Sequence, residues 1–501
     1  MNVSSVSILK MHAAQSNIVK VCYPSDDICA IMLTIYFFTG GAAMNIEMCV
    51  NSLSMPLPED ILKRKWAGDL DGAVKAIDMR LENEMPDMLR ARLVCEKERI
   101  RRLPTQYPWN RAQALQKLRE LIHVDVTEEE FDRLELSGWV DFIYLNGEKR
   151  YFVRFHRSML KNGMLAHLTG EKPKKENAYL DEMIAEIREK GELKRRITLR
   201  TSVYVDEEAF VPGAYLAHLP FPIEDAQQGD VRLLAGDPDG LGDPCAPQRT
   251  AWWKRDLNQW RKFEATYSYV SHIRYADPLH QQASESPLYP SCPAPTADDL
   301  GESGAYLRFT PYLRALAHDL ADGEETDVMK AWRIYEFITT KINYTFMRDY
   351  FQFDNHGEYC AVNLKGDCGL QALLMVILCR IAGIPARWQS GMSIDEDYIG
   401  GHDWMQFYLK GWGWVFADPS YGGGAYRAGN SVRHAFYFGN LDPMRLAANR
   451  VYQAEMEPKK AALRVDPFDN QSGELERAGA GLPFTMRQLD GDADLISFEN
   501  L

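Results

Sequence analysis

Three residues in the last third of the chain have types and spacing suited to nucleophilic attack on a carbonyl. Cys368 follows Gly366 and Asp367 and opens an apolar run to Ile381 that Gly383 and Pro385 close, so the spacing predicts a helix with the cysteine in its first turn. The free N–H groups and positive dipole end there favour a thiolate. Cys379, late in the same run among Ile377, Leu378 and Ile381, reads as a buried core thiol. His402 and Asp418 stand on the two arms of an expected hairpin, "HDWMQFYL" and "WGWVFAD". With Leu409, Lys410 and Gly411 as its loop, Tyr408 faces Trp412 and His402 faces Asp418. A slip of one residue would send imidazole and carboxylate to opposite faces. In the expected register Asp418 orients His402 and favours its protonated form, and His402 activates Cys368.

These residues need a scaffold. From residue 57 to about 136 apolar residues recur at helical spacing, with Leu62, Trp66, Leu70, Ala73, Ile77 and Leu81 in one series and Leu115, Leu118 and Ile122 in another. Thr127 with Glu130 predicts a capping box. Asn146-Gly147 between two apolar-rich runs predicts a hairpin, on which Arg150, Arg154 and Arg157 read as a solvated face rather than a nucleic-acid reader. Around residue 197 the period becomes two (Ile197, Leu199, Thr201, Val203, Val205) and returns in "FEATYSYVSHIRY", which predicts a mostly antiparallel sandwich. The Pro/Ser-rich "QQASESPLYPSCPAP" predicts a linker before a helical stripe of Val328, Trp332, Tyr335 and Ile342.

The division expected is therefore a helical domain over 44–136, a hairpin and connector over 137–189, a β-sandwich-like accessory domain over 190–280, a linker over 281–299, a catalytic domain over 300–455 and a C-terminal tail over 456–501. The fold class is α+β. Residues 1–43 hold an apolar run, Ile28 to Met44, too short and too glycine-interrupted to span a membrane. They read as an extension outside the fold, with translation starting at Met44 or Met48; a signal peptide is the lesser alternative.

Composition narrows the function. With 57 basic and 71 acidic residues among 501 the formal charge is −14, which argues against nucleic acid or anionic lipid as the whole-chain partner. Nine irregularly spaced cysteines fit a reducing, cytoplasmic compartment better than a disulfide framework. No ligand cluster suggests zinc or calcium, and no phosphate loop occurs; the run Gly422, Gly423, Gly424 follows an Asp-Pro and is not expected to open a helix. No cofactor is expected, and the oligomeric state is left open.

The segments "GDCGLQALLMVILCRIAGIPARWQSG", "GGHDWMQFYLKGWGWVFADPSYGG" and "AWRIYEFITTKINYTF" resemble the transglutaminase-like superfamily of papain-type cysteine enzymes over about residues 300–450. The resemblance implies Cys368 as nucleophile, His402 as general base and Asp418 as orienting carboxylate, with the cysteine helix packed on an antiparallel sheet. It extends to the preceding β region, which looks like the accessory domain of bacterial members, and to "VDPFDNQSGELERAGAGL", which resembles a tail of a bacterial subgroup. The chain departs from animal transglutaminases in having Gly369, not Trp, after the nucleophile. The Cys368 N–H supplies one oxyanion donor, and Trp332 or Tyr344 is the candidate for a second. Trp404, Trp412 and Trp414 either line an amine channel or fill the hairpin's buried faces. The activity expected is that of a peptidase or amidase on a peptide or protein amide, with protein-glutamine transamidation, or a catalytically silent binding scaffold, as alternatives.

Overall fold

Side-chain caps set where the first helices begin. Asp69 accepts from the Gly72 N–H, Asn110 and Gln113 form a reciprocal box, and Thr127 accepts from the Glu130 N–H at 3.1 Å. The computed structural model describes residues 46–162, 164–165, 177–283, 286–395, 398–482 and 490–501. The expectation for residues 1–43 lies outside them. The first helical series is broken at Ala67–Asp69 into helices Glu59–Trp66 and Leu70–Leu81, and Trp66 is exposed rather than part of the buried stripe. Ile61, Ala73, Ile77 and Leu93 share one core, and Leu115, Leu118, Phe131 and Tyr151 share another.

The hairpin β1 (Phe142–Leu145) and β2 (Glu148–Tyr151) turns through Asn146 and Gly147, both at positive φ, as a two-residue turn of this composition requires. A short helix, Phe155–Lys161, follows and docks on the chain around Tyr344. The Ser158 hydroxyl accepts from the Phe346 N–H at 2.9 Å, and Asn162 donates to the Tyr344 carbonyl at 2.6 Å.

Strands β3 (Glu192–Tyr204), β4 (Gly213–Pro220), β5 (Gln228–Gly236), β6 (Gly240–Leu241), β7 (Thr250–Leu257) and β8 (Phe263–Arg274) make most of two antiparallel sheets. The rest comes from the residues expected as a tail. Their strands β16 (Glu474–Arg477) and β17 (Ala480–Leu482) extend the sheet of β4, and β18 (Asp490–Asn500) pairs along β3. Residues 45–501 form one compact unit, so the segments distinguished in the sequence are parts of a single body.

The remaining core is a five-stranded sheet with helices. Its strands run β14 (Phe438–Gly439), β13 (Gly413–Ala417), β12 (Ile399–Leu409), β11 (Ala386–Ile394), β15 (Arg445–Asn449) across the sheet. Helix Cys368–Ile381 is buried from Cys368 to Arg380 and packs on β11 and β12, so its apolar character all round reflects a central position. A short parallel pair, β9 (Asn343–Tyr344) with β10 (Lys365–Gly366), holds the chain on either side of that helix's start.

The β12–β13 register differs from the expected one by two residues. Tyr408 faces Trp414 and Leu409 faces Gly413, which makes Lys410 to Trp412 the loop, with Gly411 and Gly413 at φ 87° and 79°. Because side chains alternate with period two, a shift of two preserves the face each residue takes. His402 and Asp418 thus remain on one face, as diagonal rather than direct neighbours.

Candidate active site

Asp367 caps the helix that carries Cys368, accepting from the Leu370 N–H at 3.4 Å, and its other partner is the Tyr350 hydroxyl. The cap places Cys368 at the first helical position, as the spacing predicts. Gly369 lets two polar side chains close on the helix start: a Cβ there would stand 2.3 Å from the Tyr350 hydroxyl and 2.9 Å from an Asp403 carboxylate oxygen, so any larger residue would displace them.

His402 donates from Nε2 to Asp418 Oδ2 at 2.7 Å, with both side chains almost fully buried. Arg445 reaches the same Asp418 oxygen at 2.9 Å and also pairs with Asp442. Asp418 has a further role absent from the sequence reading: it caps helix Pro419–Arg427 through the Tyr421 N–H at 2.9 Å. The run Gly422 to Gly424 therefore lies inside a helix, correcting the expectation for that segment; the Asp-Pro pair supplies its cap and first residue.

The thiol has a different partner from the expected one. Cys368 Sγ donates to Asp403 Oδ2 at 3.2 Å, and among the described residues no hydrogen bond joins Cys368 to His402. His402 and Asp403 are consecutive on β12 and leave opposite faces. Asp403 takes the side of the Cys368 helix, whereas His402 sits with Trp404, Tyr421 and Asp418. Gln471, from the supposed tail, donates to Asp403 Oδ1 at 3.0 Å. Asp403 was discernible only from alternation: one neighbour of His402 had to face the helix. Tyr350, Gln471 and Arg445 gave no sequence signal.

Electrostatics follow from this geometry. Burial, reinforced by the charges of Asp403 and Asp367, holds the Cys368 pKa well above the usual thiol value, so the group rests as a thiol despite its helix position. Burial lowers the His402 pKa; Asp418 pulls it back up, as expected, but Arg445 opposes that, and the ring is lowered on balance. For Asp418 burial acts upward, yet His402 and Arg445 hold the carboxyl at about 2. Burial and the Asp367 charge push Asp403 up to about 7, and burial raises Asp367 to about 6.

Acids with raised pKa values lend stability that is complete below the unfolded value near 4 and is lost as pH rises through the folded value. Asp403 should therefore cost about 2 to 4 kcal/mol between pH 4 and pH 8. Asp403→Asn is expected to gain on wild type at pH 8 relative to pH 5 in a calorimetric series. A pH-independent difference between the two proteins would contradict the Asp403 assignment.

The weaker site candidates separate cleanly. The Tyr344 hydroxyl points at Cys368 Sγ from 3.9 Å. Trp332 packs with Tyr335, His434 and Phe438, away from the thiol's partners. Trp404 is buried and donates to Gln389 at 2.6 Å, Trp414 donates to the Pro293 carbonyl under Arg387, and Trp412 lies in the hairpin loop. All three tryptophans are packed groups. The seven described cysteines are free, and among the described residues no group of His, Cys, Asp and Glu has metal-site geometry. No helix among them is long and apolar enough to cross a membrane.

A protein from Cytophaga hutchinsonii named a putative cysteine protease superimposes with a TM-score of 0.39 at 14% identity, over 61% of this chain and 91% of that one. The periplasmic domain of TgpA from Pseudomonas aeruginosa does so with a TM-score of 0.26 at 16% identity, over 52% and 96% of the two chains. No curated protein matches the chain. Residues 314–419, which include Cys368 and His402 and reach Asp418, match the family described as the transglutaminase-like superfamily, and this chain carries a core of that superfamily.

Proposed function

We propose that the chain is a cysteine amide hydrolase, in which Cys368 attacks a peptide or protein amide and His402 carries the proton. The observation that carries this reading is the buried His402–Asp418 pair, 2.7 Å apart, in the same core as a cysteine at a helix start. With Nε2–H given to Asp418, a neutral His402 keeps the Nδ1 lone pair as its basic site. Its lowered pKa suits a base that must be unprotonated at rest.

In the resting state the thiol proton lies toward Asp403. Reaction requires the thiol to leave Asp403 and the His402 ring to come within its reach, so that the proton passes to Nδ1 as sulfur bonds to the carbonyl carbon. The negative charge then moves to the carbonyl oxygen, and on this reading the Cys368 N–H and the Tyr344 hydroxyl donate to it. His402 returns the proton to the departing amine, and water resolves the thioester. Hydrolysis is favoured over transamidation because the tryptophans that would line an amine channel are packed. Mass spectrometry of a glutaminyl peptide incubated with a primary amine tests this: acid release is expected, and predominant amine incorporation overturns it.

Tyr344→Phe removes one oxyanion donor and should lower kcat about 100-fold with KM little changed. Wild-type turnover in that variant would remove Tyr344 from the mechanism. The thiol itself is tested by iodoacetamide labelling and peptide mapping across pH. Cys368 is expected to react slowly near neutrality and to react faster in Asp403→Asn, which takes away the neighbouring negative charge. A Cys368 inert at all pH values in both proteins would sink the proposed function.

A further inference from the structure

The helical region outside the superfamily core reaches the candidate site through Lys161. Its ammonium lies 3.8 Å above the ring of Tyr344, the residue whose hydroxyl points at Cys368. Desolvation lowers its pKa while the carboxylates of Asp418 and Asp367 oppose that, and the ammonium acts in turn on His402. Lys161 therefore stands beside the hydroxyl that points at the thiol. Lys161 is exposed to solvent.

Two further exposed cations flank it. Arg154 lies 4.2 Å over Phe346, near Tyr344 and Asp367, and Arg427 ends the helix that Asp418 caps and is felt by Lys161. Among the described residues none of the three makes an ion pair, whereas other cations of the core do: Arg387 with Asp299, Arg433 with Asp181, Arg445 with Asp442. In a chain of net charge −14, an unpaired cationic group around a reactive thiol runs against the average field. The nearby carboxylates do not neutralise it, because Asp418 is buried under Arg445 and His402, and Asp367 is engaged by Tyr350 and the helix start.

We infer that this cationic face takes an acidic peptide, with Lys161, flanked by Arg154 and Arg427, binding a substrate carboxylate beside the amide under attack. The inference deepens the proposed function and rests on it for the word substrate, but the binding itself needs no thiol. The test uses the Cys368→Ala protein and two peptides carrying the same neutral dye, acetyl-Gly-Glu-Gly-Gly-amide and its Gln counterpart, with fluorescence polarisation at low and high salt. The Glu peptide is expected to bind about tenfold more tightly at low salt, and high salt should erase the difference. Lys161→Gln should bring the two peptides within about twofold, and Lys161→Arg should keep the preference, which separates lost charge from lost folding. Equal or undetectable binding of both peptides, or a Glu preference that survives Lys161→Gln, overturns the inference. An unreactive Cys368 alongside a Lys161-dependent Glu preference would remove the hydrolase reading and leave the cationic peptide site standing.

Discussion

Replacing Cys368 with alanine is expected to lower turnover of a peptide amide by on the order of 10⁴-fold or more, with no acyl-enzyme seen by intact-mass analysis. The size of the loss follows from the role: no other described group stands at both the helix start and the Tyr344 hydroxyl to replace the sulfur. The fold should barely respond. One sulfur atom, its hydrogen bond to Asp403 and the long contact from the Tyr344 hydroxyl disappear, about 1 to 2 kcal/mol. Cys379→Ala provides the contrast, because that thiol is fully buried among core residues and its loss should reduce stability and leave chemistry in place. Wild-type rates in Cys368→Ala would end the thiol mechanism.

Asp418→Asn is the second large effect, expected to cost on the order of 10³- to 10⁴-fold in kcat. An asparagine still caps helix Pro419–Arg427, so the local backbone should hold. What is lost is the charge that fixes Nε2–H on His402 and stabilises the imidazolium as the thiol proton arrives. Arg445 retains Asp442, which limits the structural penalty to about 1 to 3 kcal/mol. The sign of the pH effect follows from the depressed pKa. Asp418 stabilises the fold above its unfolded value near 4, and that contribution fades as pH falls toward about 2. Asp418→Asn should accordingly flatten the acid limb of the stability profile. A rate loss under tenfold would mean that another group orients His402.

What could be read from the sequence was what local pattern encodes. The Cys368 helix start and the Asn146-Gly147 turn each depend on a few adjacent residues and have their expected form, and Thr127 caps its helix through the Glu130 N–H. The hairpin's faces were legible and its loop was not, because two glycines offered two positive-φ positions and the chain uses both, Gly411 and Gly413. The resting partner of the thiol was hidden for a different reason. Asp403 meets Cys368 only through the packing of a helix on a strand, and Gln471 approaches from a segment with no local periodicity to place it. The same holds for the tail, where β16 and β17 are short and β18 carries too few apolar residues to show the alternation that marked β3.

The late strands also tie the readiness of the site to the order of synthesis. Ser202 and Asp492 meet across 290 residues, so β3 waits with one edge open while the intervening chain is made. A nascent chain in that interval presents a long alternating strand to its neighbours, a template for intermolecular pairing. Gln471 reaches Asp403 just ahead of β16, so the contact that steadies the thiol's partner forms only as the same late segment settles. Nicking by a protease between residues 471 and 490 would therefore reach the nucleophile from a distance, by loosening a strand that touches no reacting atom.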